Sequence, residues 1–199
     1  MNILVHVFEW LFLITNDYGI AIIAFTFSVK FLMLPLTIKQ KKSMKEMQAL
    51  TTRVNALKEK YKDNTEKLNA EIQKIYSEKP GAVTGVFLLF LQMPIFVIMY
   101  QLFSNHIVDA GTVIMPWITS LSIPDPFYII PALYIAVQLL PNILSHFNII
   151  KNSSIPKLTK TAVAAPLVIT VLFITNLPAG IGIYFVTSAV ITAAEQIFI

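Results

Sequence analysis

The chain has no cysteine. That excludes disulfides, a thiolate metal site and thiol catalysis. Charge is also scarce: Asp, Glu, Lys and Arg make up 13% of its 199 residues, about half of what a soluble domain carries. Only three histidines occur, His6, His106 and His146, scattered along the chain. There is no H-E-x-x-H, no G-x-S-x-G and no P-loop. These absences argue against an enzyme and leave no catalytic residue, metal site or cofactor to assign. The inverted repeats of secondary transporters are not evident either.

What is present is apolar. Hydrophobic residues make up 56% of the chain, and the mean hydropathy is +0.69. The composition predicts an all-α integral membrane protein of one domain. Five apolar segments stand out, at about 18–38, 84–104, 127–148, 162–177 and 179–198, close to the roughly 17–25 residues a spanning helix needs. The fourth is short and turns tightly into the fifth through Asn176-Leu-Pro-Ala-Gly180. Pro35, Pro94, Pro131, Pro141 and Pro166 fall within the spans, where neighbouring helices can satisfy the freed carbonyls.

The basic residues are unevenly placed. Eleven of the fifteen lie in 39–80 and three in 149–161, while 1–29, 105–126 and 176–180 have none. The positive-inside rule puts both basic loops in the cytoplasm, the N-terminus outside and the C-terminus inside. The basic pI, about 9.2, therefore reflects topology rather than nucleic-acid binding.

Residues 1–17 lack the basic start and small-residue cleavage site of a signal peptide. Leu4, Val5, Phe8, Leu11 and Phe12 share a helical face opposite Asn2, His6 and Glu9, which predicts an extracytoplasmic helix lying in the interface. The chain stops at Ile199 without a polar tail, and we expect trimming at both ends. The remainder, 18–199, reads as the five-span core. Within it, 39–80 is strongly polar. Met47, Leu50, Val54, Leu57 and Tyr61 form a short heptad seam. Asp63 followed by Glu66 resembles a capping box, and Leu68, Ile72 and Ile75 continue an apolar face up to Pro80-Gly81. This pattern predicts a cytoplasmic antiparallel helical hairpin. Two roles are open to it: a connector with a solvated basic face, or an arm that docks on anionic lipid or a partner.

Lys30 is the one cation inside an apolar run, with no acidic residue between Asp17 and Glu46. A charge at membrane depth costs roughly 2.5–3.5 kcal/mol even on lenient scales. Snorkelling can soften this, but Lys39 lies about 13 Å further along a helix, beyond the reach of a lysine stem. The alternative is a water-filled cavity open to the cytoplasm. Thr26 is one turn before Lys30. Gln92 and Gln101 lie in the second segment, Gln138 and Asn142 in the third, and Tyr184, Thr187, Ser188 and Thr192 on one face of the fifth. Taken singly, these polar groups read as interhelical glue, worth about 0.6 kcal/mol each. Together they can line a cavity around Lys30. Glu195 reads as lying near the cytoplasmic end of the fifth span, too far out to be an obvious counter-ion.

Three stretches resemble motifs of the YidC/Oxa/Alb membrane protein insertases. Tyr18-Gly-Ile-Ala-Ile-Ile, Lys30 and Leu34-Pro-Leu-Thr-Ile-Lys-Gln40 are similar to the family's first core span. Gln92-Met-Pro-Ile-Phe-Val-Ile-Met-Tyr100 is similar to its second-span motif, and Leu177-Pro-Ala-Gly-Ile-Gly-Ile-Tyr-Phe185 to its closing hairpin. The resemblance covers the whole chain in order. The missing large extracytoplasmic domain resembles the short Gram-positive form, whose precursors often carry a lipoprotein signal. There are departures: Lys30 stands where the family usually has Arg, Ala189 where it often has Asn, and Glu195-Gln196 where it often has Gln-Gln.

The resemblance implies an insertase and chaperone for small membrane proteins in the bacterial cell membrane, working from the cytoplasmic side without nucleotide. Lys30 would attract acidic residues of the substrate's translocated tail. Thr26 and Tyr184 match the family's groove threonine and last-span tyrosine, and Gln92, Thr187 and Ser188 would complete the substrate-binding groove. The implied partners are nascent membrane proteins and the lipid bilayer, with the ribosome and the Sec translocon as further candidates. A channel or small-solute transporter using the same polar cavity is the rival reading, and a passive scaffold docking through the hairpin is a third.

Overall fold

The structure, a computed structural model, describes residues 3–62, 64–78, 97, 100, 101, 110–150 and 160–198. All regular structure among them is helical: α1 (Ile3–Thr15), α2 (Tyr18–Lys60), α3 (Thr65–Glu78), α4 (Ile129–His146), α5 (Lys160–Leu172), a 3-10 turn (Ile174–Asn176) and α6 (Ala179–Phe198). Three stretches, Tyr18–Lys39, Ile129–His146 and Ala179–Phe198, are long and apolar enough to cross a membrane. The chain divides into two compact units, one of Met1–Leu32 with Ile95–Ile199 and the other of Met33–Pro94.

In the first unit, α1 packs through the face its periodicity predicts. Phe8 is 2% exposed, with its ring edge-on to Phe25 at 5.9 Å. Phe12 stacks on Tyr18 at 3.9 Å. Leu4, Val5 and Leu11 are half-buried and His6 and Glu9 exposed. The far side of the helix is also apolar: Ile3, Val7, Trp10 and Ile14, spaced as one stripe, are exposed. Asn16 ends α1 with φ 52°, a conformation Asn tolerates better than most residues. Asp17 then starts α2, its Oδ1 accepting from Ile20 N at 2.8 Å in the manner of an N-cap.

Residues 110–128 hold one end of this unit together. Met115, Ile118 and Leu121 of this segment are buried. A helix start leaves several N–H groups without intrahelical partners, and this segment serves three such starts. Its Thr112 hydroxyl and Val113 N–H hold the Asp17 carboxylate at 2.7 and 2.8 Å, beside the first turn of α2. Asp125 accepts from Ile130 N at 2.7 Å, at the start of α4. The Ile123 and Leu121 carbonyls accept from Ala179 N and Gly180 N, the first two residues of α6. The starts of α2, α4 and α6 are thus gathered at one level.

α6 is the most enclosed helix of the unit, with Ile181, Ile183 and Tyr184 almost wholly buried. It packs on α4, where Tyr134 meets Phe185 edge-on at 6.0 Å. The two helices approach closely at Gly182: a Cβ there would lie 2.7 Å from Ile130 Cγ2. α5 ends at Leu172, earlier than the 162–177 expected from hydropathy. A 3-10 turn follows, and the chain leaves helical geometry before Pro178, which disfavours helix at the residue before it; Leu177 is extended, with ψ 152°. The expected second span lies mostly outside the described residues, although positions 97, 100 and 101 are helical.

In the second unit, the remainder of α2 is followed by a turn and α3. Leu50 and Val54 are buried, and Leu57, Leu68, Ile72 and Ile75 half-buried, on the faces the spacing predicts; the Met47 side chain is outside the described set. The cap is not the one expected. Asp63 lies outside the described residues, and Asn64 caps α3, its Oδ1 accepting from Lys67 N at 3.0 Å. Asn64 holds the position just before the first helical residue, from which a side chain reaches the third N–H.

Candidate functional site

Lys30 sits on the apolar part of α2, half-buried. Because α2 and α6 start at one level, their residues can be compared by depth. At about 1.5 Å per residue, Lys30 is about 18 Å down α2, and Thr192 about 20 Å down α6. The two meet: Lys30 Nζ donates to Thr192 Oγ1 at 3.2 Å. The Thr192 hydroxyl spends its own proton on the Ser188 carbonyl at 2.8 Å, which leaves its lone pairs for the ammonium. One turn further on, Glu195 is 6% exposed, and its charge interacts with that of Lys30.

Glu195 lies near the end of α6, as expected, one helical turn beyond Thr192 and close enough for its charge to act on Lys30. The sequence signal that could have found it is the spacing Thr192-x-x-Glu195, which keeps both on one face.

The other expected site residues fall as follows. Thr26 is 1% exposed, and its hydroxyl donates back to Ile22 O at 2.6 Å. Tyr184 is also 1% exposed and hydrogen-bonds the Ser188 side chain one turn on. Thr187 is buried and donates to Ile183 O at 2.8 Å. Tyr184, Ser188 and Thr192 therefore form a continuous polar line down α6 toward Lys30. Gln92 lies outside the described residues. Gln138 donates to the Tyr134 hydroxyl at 2.8 Å. Among the described residues no group of His, Cys, Asp and Glu is arranged to hold a metal ion.

At the capped end, the Asp17 carboxylate accepts from several donors. Burial alone would push its pKa up, but the backbone N–H of Ile20, the Thr112 hydroxyl and the N–H groups of Val113 and Gly19 outweigh this and hold it below the ordinary 3.8. Gly19 permits this arrangement, because a Cβ there would collide with the Thr112 hydroxyl.

These features define an integral membrane protein, helical throughout its described regular structure, with a cation and a carboxylate near one another on two of its helices. A family model described as 60Kd inner membrane protein matches residues 10–199. The chain belongs to that family. It is 33% identical over 197 residues to the membrane protein insertase YidC of Citrifermentans bemidjiense, covering 98% of this chain and 36% of that protein. It is 34% identical over 188 residues to the YidC of Geotalea daltonii, covering 93% and 34%. The YidC of Wolinella succinogenes is 33% identical over 193 residues, covering 96% and 35%. The chain spans about a third of the length of these curated relatives. Its fold is that of a crystal structure of an active YidC insertase with the first transmembrane domain resolved, with a TM-score of 0.67 at 24% identity, over 96% of this chain and 44% of that one.

Proposed function

We propose that this protein inserts small membrane proteins into the bilayer from the cytoplasmic side and assists their folding. The observation that carries the reading is Lys30: a cation half-buried on an apolar span, held by Thr192 and facing a polar line of hydroxyls. Such a group is costly in the membrane and suits a transient contact with an acidic residue of a passing chain. The relatives named as membrane protein insertases support it.

In this reading five spans, including 84–104, form the core. Lys30 faces a hydrophilic groove open to the cytoplasm, Gln92 adds to its lining, the polar residues Thr26, Tyr184, Thr187 and Ser188 pack behind it, and residues 110–128 close its other end. The basic 39–80 region is a cytoplasmic antiparallel hairpin, with the N-terminus outside and the C-terminus inside. The substrate's apolar segment leaves along α4 and α6. Substrate hydrophobicity, charge attraction and the membrane potential drive the step, without nucleotide or cofactor. The ribosome and the Sec translocon are candidate partners at the cytoplasmic face.

Site-specific crosslinking tests this. A photoreactive group at Leu133 of α4 or Val190 of α6, both exposed, should capture an arrested nascent single-span protein. The same group at the solvated Lys67 position should capture much less. Equal capture at all three would overturn the proposed path.

A further inference from the structure

We propose that Glu195 is the built-in counter-ion of Lys30, and that it sets substrate selectivity because an incoming carboxylate must displace it. The inference rests on the insertase reading and concerns the same site.

Three observations meet here. Thr192 is oriented as an acceptor, its proton being committed to Ser188 O at 2.8 Å, and it fixes the Lys30 ammonium at 3.2 Å. Glu195 follows three residues later, on the same face of α6. It is 6% exposed, and its charge couples to that of Lys30. A carboxylate buried to this degree in an apolar helix is expensive unless an opposite charge compensates it. Lys30 is the same case seen from the other side. Each charge offsets part of the cost of the other.

The consequence is chemical. Alone, Lys30 would give the site a net positive charge and a strong preference for acidic tails. Paired with Glu195, the site is formally neutral, and Lys30 is already engaged. A substrate carboxylate gains only the difference between its own contact with Lys30 and the one Glu195 gives up. The pair therefore flattens the discrimination between acidic and neutral tails, and keeps Lys30 placed while the site is empty.

The test uses the full chain in proteoliposomes and two single-span substrates that differ by Asp or Asn at one position of the translocated tail. We expect the Asp-to-Asn insertion ratio to rise about 5- to 10-fold in Glu195→Gln, in the range of ordinary coupling between sites. It should fall to about one in the Lys30→Gln/Glu195→Gln double variant. An unchanged or lower ratio in Glu195→Gln, with the ratio still abolished by Lys30→Gln, would overturn the counter-ion and leave the insertase reading standing. If no variant changed insertion of either substrate, both would fall.

Thermal unfolding in detergent gives a second, independent readout that does not need an active variant. Each single substitution strands a buried charge and should lower Tm, whereas the double variant should regain part of the loss. Strictly additive losses would refute the pairing.

Discussion

Replacing Asp17 by Asn tests whether residues 110–128 are a structural cap or a decoration. The carboxylate is 8% exposed. Its Oδ1 accepts from Ile20 N at 2.8 Å and from the Thr112 hydroxyl at 2.7 Å, and its Oδ2 accepts from Val113 N at 2.8 Å. Asn keeps one acceptor for the first two. It then points an amide donor at the Val113 N–H, so two donors face each other in a buried place. A hydrogen bond to a charged group contributes about 1.5–3 kcal/mol, and stranding its partner costs a similar amount. We expect a loss of about 2–3 kcal/mol, which for a chain of this size lowers Tm by roughly 5–10 °C. Thr112→Val removes one donor and should cost about 1 kcal/mol.

The pH dependence follows from the same contacts. Hydrogen bonding outweighs burial and holds the folded-state pKa of Asp17 below 3.8. The stabilisation is therefore complete above pH 3.8 and is lost as pH falls through the lower folded value. The gap in Tm between wild type and Asp17→Asn should be full at neutral pH and close under strong acid. Thermal melts in detergent across that range measure it. A gap of less than about 1 °C at neutral pH would refute the reasoning.

Three further outcomes are expected. Gly182→Ala puts a methyl 2.7 Å from Ile130 Cγ2 and should cost about 1–3 kcal/mol, with Ile130→Ala in the same background recovering part of it; detergent melts read both. Tyr128 has φ 57°, where a bulky side chain is strained by about 1–2 kcal/mol, so Tyr128→Gly should raise Tm by a few degrees. Asn64→Ala removes the bond to Lys67 N and should destabilise the start of α3 by about 1 kcal/mol, seen as faster amide exchange confined to that turn.

The helices were the most legible part of the sequence. α6 (Ala179–Phe198) spans nearly the whole of the fifth apolar segment, and α4 (Ile129–His146) lies inside the third, because hydropathy and length suffice where a helix is uniformly apolar. The buried face of α1 was legible for a related reason: Phe8 and its neighbours recur at helical spacing. Residues 110–128 were not legible. What they do depends on Asp17 meeting Thr112 across 95 positions and on Ile123 O meeting Ala179 N, and no local pattern encodes such pairs. The polar face of α6 pointed toward Lys30, and the structure adds the contact with Thr192. Glu195 lies near the end of α6, as its place in the fifth segment predicts, and only tertiary structure brings Lys30 toward it through Thr192.

The central claim is that Lys30 receives an acidic group of the substrate. Its most direct test is insertion of a purified single-span protein with one Asp in its translocated tail into vesicles containing either the wild type or Lys30→Ala. The account predicts that Lys30→Ala loses most of this insertion, that Lys30→Arg retains it, and that protease protection of the tail reports both. Equal protection with wild type and Lys30→Ala would contradict it.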